Sequence, residues 1–176
     1  MGPSRRRGMS FELVTAGPEK TFRAGEGLAP LLVTGDVLLL EGPLGAGKTR
    51  FTQGLAKGLG IAQPLTSPTF VIMNQYVGRL MLYHVDLYRI EAEAEAVDLG
   101  LDDYFFGDGV CVVEWPDRAP SAMPPAHLLI RFEHVGESSR RLTVTAAGSR
   151  SEALLVEYMR GLVVEVGPPG RDGVDV

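Results

Sequence analysis

An α/β fold of three layers, with helices on both sides of a mixed parallel and antiparallel sheet, is what this sequence predicts. Three observations predict it. A short apolar strand, a glycine-rich loop and a helical pattern follow one another over residues 37–59. Two β-rich runs, residues 70–76 and 80–85, are separated only by Val77-Gly78-Arg79 and read as a hairpin, so the sheet is not purely parallel. The remaining strand and helix patterns show neither an internal repeat nor a linker over 176 residues.

The elements follow in order. Residues 11–15 read as a short strand. Residues 21–32 carry apolar side chains at Phe22, Leu28, Leu31 and Leu32, a helical spacing weakened by Gly25 and Gly27. Gly35-Asp36 turns the chain into the apolar run Val37-Leu38-Leu39-Leu40, a buried strand ending at Glu41. Phe51, Leu55 and Leu59 mark the helix that starts at Gly47 and stops near residues 58–60, where glycine takes the cap. Pro64 and Pro68 make residues 62–69 a loop. After the hairpin, residues 91–97 alternate Glu and Ala and predict a helix, with a further turn or two over 99–106. Residues 110–113 form an uninterrupted apolar strand running into Glu114-Trp115 before Pro116 breaks it. Residues 128–132 and 142–145 read as a closing antiparallel pair, followed by a helix over 152–162.

The expected organisation is a single domain over residues 10–164. Residues 1–9, with Arg5-Arg6-Arg7, and the Pro/Gly-rich residues 165–176 are expected to be disordered extensions. The formal net charge of −5 gives the surface no general attraction for nucleic acid. No apolar stretch reaches the length of a membrane span and no signal-peptide pattern appears, so a cytoplasmic protein with no membrane partner is expected. The single cysteine, Cys111, reads as a small buried hydrophobe.

The chemistry centres on Gly42-Pro43-Leu44-Gly45-Ala46-Gly47-Lys48-Thr49, a match to G-x-x-x-x-G-K-[ST] at every fixed position. Shuffling this composition would give that match only about 0.4% of the time, so an ordinary glycine turn is the poorer reading. With three lysines against fourteen arginines, a generic surface cation here would be Arg; Lys48 suits a compact ammonium on phosphate. A strand, such a loop and a helix start together place backbone N–H groups and the positive helix end around one anion, making the domain P-loop NTPase-like. Gly42, Gly45, Ala46, Gly47, Lys48 and Thr49 are the expected ATP- or ADP-binding residues, and the Thr49 hydroxyl an expected Mg²⁺ ligand.

A further carboxylate is needed at the end of a neighbouring strand. Glu114 is the stronger metal candidate, because its apolar run matches a central strand; the alternative is a carboxylate merely exposed at a strand end. Asp86 would hold Mg²⁺ through water, orient the attacking water, or simply cap the turn over residues 87–89. His84 is expected to pack or hydrogen-bond rather than catalyse, and Trp115 to anchor packing. Ser67, Pro68 and Thr69 lie in a loop that a terminal phosphate would order, a switch segment. Arg140 and Arg141 read first as a solvated face and second as a nucleotide contact. Two other functions fit the same loop: a small-molecule kinase, for which no Arg-rich lid is found, and a non-catalytic, nucleotide-gated interaction module. No N-K-x-D motif supports a GTPase.

Taken together, the loop over 42–49, Ser67-Pro68-Thr69-Phe70, His84-Val85-Asp86-Leu87-Tyr88-Arg89 and Glu114-Trp115-Pro116 resemble the TsaE family, also known as YjeE, in order from about Thr21 to Pro116. The resemblance implies a bacterial ATPase needed to make N6-threonylcarbamoyladenosine beside the anticodon of ANN-decoding tRNAs. It implies work with TsaB and TsaD, which would handle the tRNA. It also implies that Thr49 and Glu114 bind Mg²⁺, that Lys48, Asp86 and Glu114 serve catalysis, and that the 67–70 loop is a nucleotide-sensitive switch. Pro43 stands where the family often has an acidic residue, at a variable position of the loop.

Overall fold

The computed structural model describes residues 8–68 and 72–165. The Arg5-Arg6-Arg7 run, Thr69, Phe70 and the expected tail from residue 166 onward lie outside them. Seven strands form one sheet: β1 (Ser10–Ala16), β2 (Val37–Glu41), β3 (Met73–Val77), β4 (Met81–Asp86), β5 (Gly109–Glu114), β6 (His127–His134) and β7 (Ser139–Ala147), in the order β1-β7-β6-β2-β5-β4-β3. The middle, β6-β2-β5-β4, is parallel, whereas β3, β7 and β1 join antiparallel to their neighbours. The mixed sheet and the hairpin expected from the sequence are both present. So is the pairing of the last two strands, although the first of them also lies parallel to β2.

Among the described residues five helices flank this sheet: α1 (Pro18–Leu28), α2 (Lys48–Gly58), α3 (Glu93–Asp98), α4 (Asp102–Phe105) and α5 (Ser149–Glu165). Strand alternation divides the core in two. Leu38 and Leu40 of β2 and Val110 and Val112 of β5 pack against α1, α2 and α5. Val37, Leu39, Cys111 and Val113, on the other face, pack against the α3–α4 segment. Buried on both faces, β2 and β5 need the near-continuous apolar runs their sequences carry. Cys111 is wholly buried, and that burial pushes its thiol up to about 12.

The helix whose pattern Gly25 weakens forms because α1 and α2 lie unusually close. A Cβ at Gly25 would collide with the Phe51 carbonyl, and one at Gly54 with the Phe22 carbonyl. The contact needs glycine on both helices, which local helix propensity penalises. Pro18 at the first helical position opens α1, and the 3₁₀ turn Ala29–Leu31 closes it. Among the described residues no helix is long and apolar enough to cross a membrane.

Candidate phosphate and metal site

The phosphate-loop residues leave β2 at Glu41 and enter α2 at Lys48. Gly42, Gly45 and Gly47 all have positive φ, at 154°, 74° and 103°, backbone that L side chains resist. A Cβ at Gly42 would also press on the Phe132 carbonyl of β6, 2.7 Å away. The first intrahelical bond runs from Phe51 N–H to the Gly47 carbonyl, leaving the N–H groups of Lys48, Thr49 and Arg50 without intrahelical acceptors. Those donors and the helix dipole face the same cleft. Ala46 differs from the rest of the loop: it is buried, and its N–H donates to the Pro43 carbonyl at 3.2 Å, closing a turn inside the loop.

Lys48 is 6% exposed. Its ammonium donates to the Gly42 carbonyl and to the Pro43 carbonyl (3.1 Å), and lies 4.0 Å from the centre of the Trp115 ring. Burial lowers its pKa, opposed by the charges of Glu114, Asp86 and Asp117. Trp115 adopts the left-handed conformation (φ 60°, ψ 48°), the one non-glycine residue with positive φ among those described. That twist at the end of β5 turns the chain into the 3₁₀ turn Pro116–Arg118 and sets the indole beside Lys48.

Asp86 and Glu114 are register partners at the ends of the parallel strands β4 and β5. Glu114 is 2% exposed, so the reading of a merely exposed strand-end carboxylate is wrong: β5 is buried along its whole length. The Thr49 hydroxyl donates to Glu114 Oε1 at 3.2 Å and lies 2.8 Å from the Ser67 hydroxyl. A hydroxyl has one proton, so with Thr49 donating to Glu114, Ser67 is the donor to Thr49. Asp86 accepts the Tyr88 N–H at 2.9 Å, the turn contact that is one of its alternatives, while its carboxylate lines the same cleft as Glu114. Burial raises the Asp86 pKa; the Tyr88 bond lowers it, and the Glu114 charge raises it again.

His84 alternates with Asp86 on the same face of β4 and is wholly buried. Its Nε2 is 3.6 Å from Glu114 Oε1, beyond hydrogen-bond reach, and neither ring nitrogen has a hydrogen-bond partner among the described residues. Pro68 is buried beside Ser67, and Thr69 lies outside the described residues.

The oxygen set of Thr49, Ser67, Glu114 and Asp86 is hard and anionic, chemistry that fits Mg²⁺. Among the described residues no cluster of three His, Cys, Asp or Glu side chains forms a cage for a metal.

At the other end of this cleft of about 600 Å³, sequence reasoning reaches Arg140 only as its second reading, and misses Gly17, Pro18 and Thr21 at the start of α1 and Glu137 and Ser138 at the β6–β7 turn. Arg140 donates to the Gly45 carbonyl at 3.3 Å, so it does not lie on a purely solvated face. Arg141 does face outward, between Glu12 and Glu133 at 3.8 Å each. The alternation of β7 is the available signal: neighbouring residues on a strand point to opposite faces.

The family model for threonylcarbamoyl adenosine biosynthesis protein TsaE matches residues 15–142. Among similar curated proteins, the tRNA threonylcarbamoyladenosine biosynthesis protein TsaE of Bacillus subtilis is 48% identical over 147 residues, covering 83% of this chain and 92% of its own length. That of Treponema pallidum is 41% identical over 131 residues, covering 74% and 97%. The crystal structure of Bacillus subtilis YdiB superposes with a TM-score of 0.75 at 42% identity, over 87% of this chain and 96% of that one.

Proposed function

This chain belongs to the TsaE family, and from that membership we propose that it is the Mg²⁺-dependent, ATP-binding and ATP-hydrolysing subunit of tRNA N6-threonylcarbamoyladenosine synthesis. It acts with TsaB and TsaD and meets tRNA through them. The observation that carries the ATPase reading is the Thr49 hydroxyl, which touches both Glu114 and Ser67 at the mouth of the phosphate loop. A helix start, a buried strand-end carboxylate and a loop hydroxyl converge there, the arrangement a phosphate-bound divalent cation needs.

In this reading the loop N–H groups and Lys48 bind the phosphates. Thr49 and Glu114 hold Mg²⁺, and Ser67 ties the switch loop to them through Thr49. The metal supplies charge neutralisation on the phosphate oxygens when bound. Asp86 accepts a hydrogen bond from water at the open side of Glu114 and orients it. The acidic surface suits a subunit that handles nucleotide and protein while its partners hold the RNA.

The test is reconstitution with TsaB, TsaD and tRNA. Wild-type protein is expected to support many cycles of modification with ATP consumed, and Lys48→Ala is expected to stop them. Undiminished multiple turnover by Lys48→Ala would overturn the proposal.

A further inference from the structure

Building on the Mg·ATP reading, we infer that His84 is the positioning residue for Glu114: its imidazole donates Nε2–H to the carboxylate and holds it toward Thr49 when the cation is bound. His84 touches neither nucleotide nor metal and acts through Glu114. Strand register carries the argument. Leu82, His84 and Asp86 share one face of β4, and Val110, Val112 and Glu114 the same face of β5. His84 stands opposite Val112, one step short of the Asp86–Glu114 pair, so its ring meets Glu114 on the diagonal. Nε2 is 3.6 Å from Glu114 Oε1, just beyond the ordinary limit of about 3.2 Å, a gap that a small rotation of the carboxylate closes.

Each group lacks what burial demands. His84 is wholly buried and Glu114 nearly so. Among the described residues neither ring nitrogen of His84 has a hydrogen-bond partner, and the Glu114 carboxylate accepts one hydrogen bond, from Thr49. A buried carboxylate needs donors, and a buried imidazole N–H needs an acceptor. The flanking Leu82 and Val112 offer neither. Asn74, the register partner of His84 on β3, gives its amide to the Tyr76 hydroxyl at 3.5 Å. A carboxylate that ligates a metal is itself oriented by a hydrogen bond from behind, and the His84 ring is placed to supply it.

Calorimetric titration of the full chain with ADP, in Mg²⁺ and in EDTA, isolates the contribution of the cation. His84→Phe keeps a buried ring and loses both nitrogens. It is expected to cut the Mg²⁺-dependent gain in ADP affinity about 10-fold, while affinity in EDTA stays within about 2-fold of wild type. His84→Gln places an amide nitrogen where the ring has Nε2 and is expected to restore most of the gain; His84→Asn places one at the Nδ1 position and is not. Equal loss in Mg²⁺ and in EDTA would mean that His84 only supports the sheet, and would overturn the inference. A gain that survives His84→Phe, or rescue by His84→Asn as full as by His84→Gln, would overturn it as well. Nitrogen-15 NMR of the wild-type histidine rings reads the contact without any substitution. His84 is expected as the Nε2–H tautomer, that proton moving downfield on adding Mg·ADP, and an Nδ1–H ring would sink the idea. If wild type shows no Mg²⁺-dependent gain, the Mg·ATP reading itself fails, a result distinct from a gain that survives His84→Phe.

Discussion

Asp86 and Glu114 stand opposite one another on adjacent parallel strands, two carboxylates on one face at the level where the sheet ends. Neighbouring strands lie about 4.8 Å apart. Two acids so placed repel each other unless a cation or proton intervenes; the Asp86 pKa is raised first by burial and, to a smaller degree, by the Glu114 charge.

The first prediction concerns pH. A carboxyl whose folded pKa is raised binds its proton more tightly in the folded state. Stability therefore falls as pH rises through the window above the ordinary Asp pKa of about 3.9, and the cost persists above that window. Asp86→Asn removes that cost and keeps the acceptor for Tyr88 N–H. Its melting temperature, by circular dichroism, should exceed that of wild type at pH 7, and the gap should close below about pH 4.

The same pair has separable duties in hydrolysis. Glu114→Gln should remove most of the Mg²⁺-dependent gain in nucleotide affinity. Asp86→Asn should preserve that gain and lower the single-turnover hydrolysis rate on the order of 100-fold in the assembled complex. Binding with and without EDTA, read beside quenched-flow hydrolysis, checks both.

Trp115 is the sole tryptophan and has the Lys48 ammonium over its ring, so its fluorescence reports on that contact. Adding Mg·ATP should shift the emission as the ammonium turns to phosphate. Lys48→Met should show no shift and a melting temperature within about 3 °C of wild type, because burial of the ammonium opposes its contacts.

Glycine at the α1–α2 crossing is expected to be indispensable for packing. Gly25→Ala would drive a methyl into the Phe51 carbonyl, which the helix cannot move cheaply. Urea denaturation should show a loss of about 1–3 kcal/mol.

Arg150 of α5 makes two bonds to the buried Asp36 carboxylate, at 3.0 and 2.9 Å, where the chain turns into β2. Asp36 also accepts Val33 N–H at 2.9 Å, so removing the arginine leaves the charge partly satisfied. Arg150→Ala should cost about 1–3 kcal/mol by urea denaturation, below the value for a fully buried pair because the arginine is partly exposed.

The features legible in the chain are those written in contiguous residues. The loop over 42–49 specifies its own backbone, because its glycines, lysine and threonine act at fixed covalent spacing. The unbroken run before Glu114 announces a strand buried on both faces. Gly25 reads as a weak point in its helix because propensity is local, whereas the demand it meets comes from Phe51 on another helix. Arg140 reads first as part of a solvated face because its partner, Gly45, is 95 residues away in the chain.

By itself the sequence determined the fold class, the phosphate loop, the candidate carboxylates and a family likeness, since each rests on local pattern. Only the tertiary structure decided that Asp86 and Glu114 share one level, that Thr49 joins Glu114 to Ser67, and that the β6–β7 turn closes the far end of the cleft. Those relations depend on strand order and register, which are fixed by burying two apolar faces at once and have no signature in any single stretch of chain.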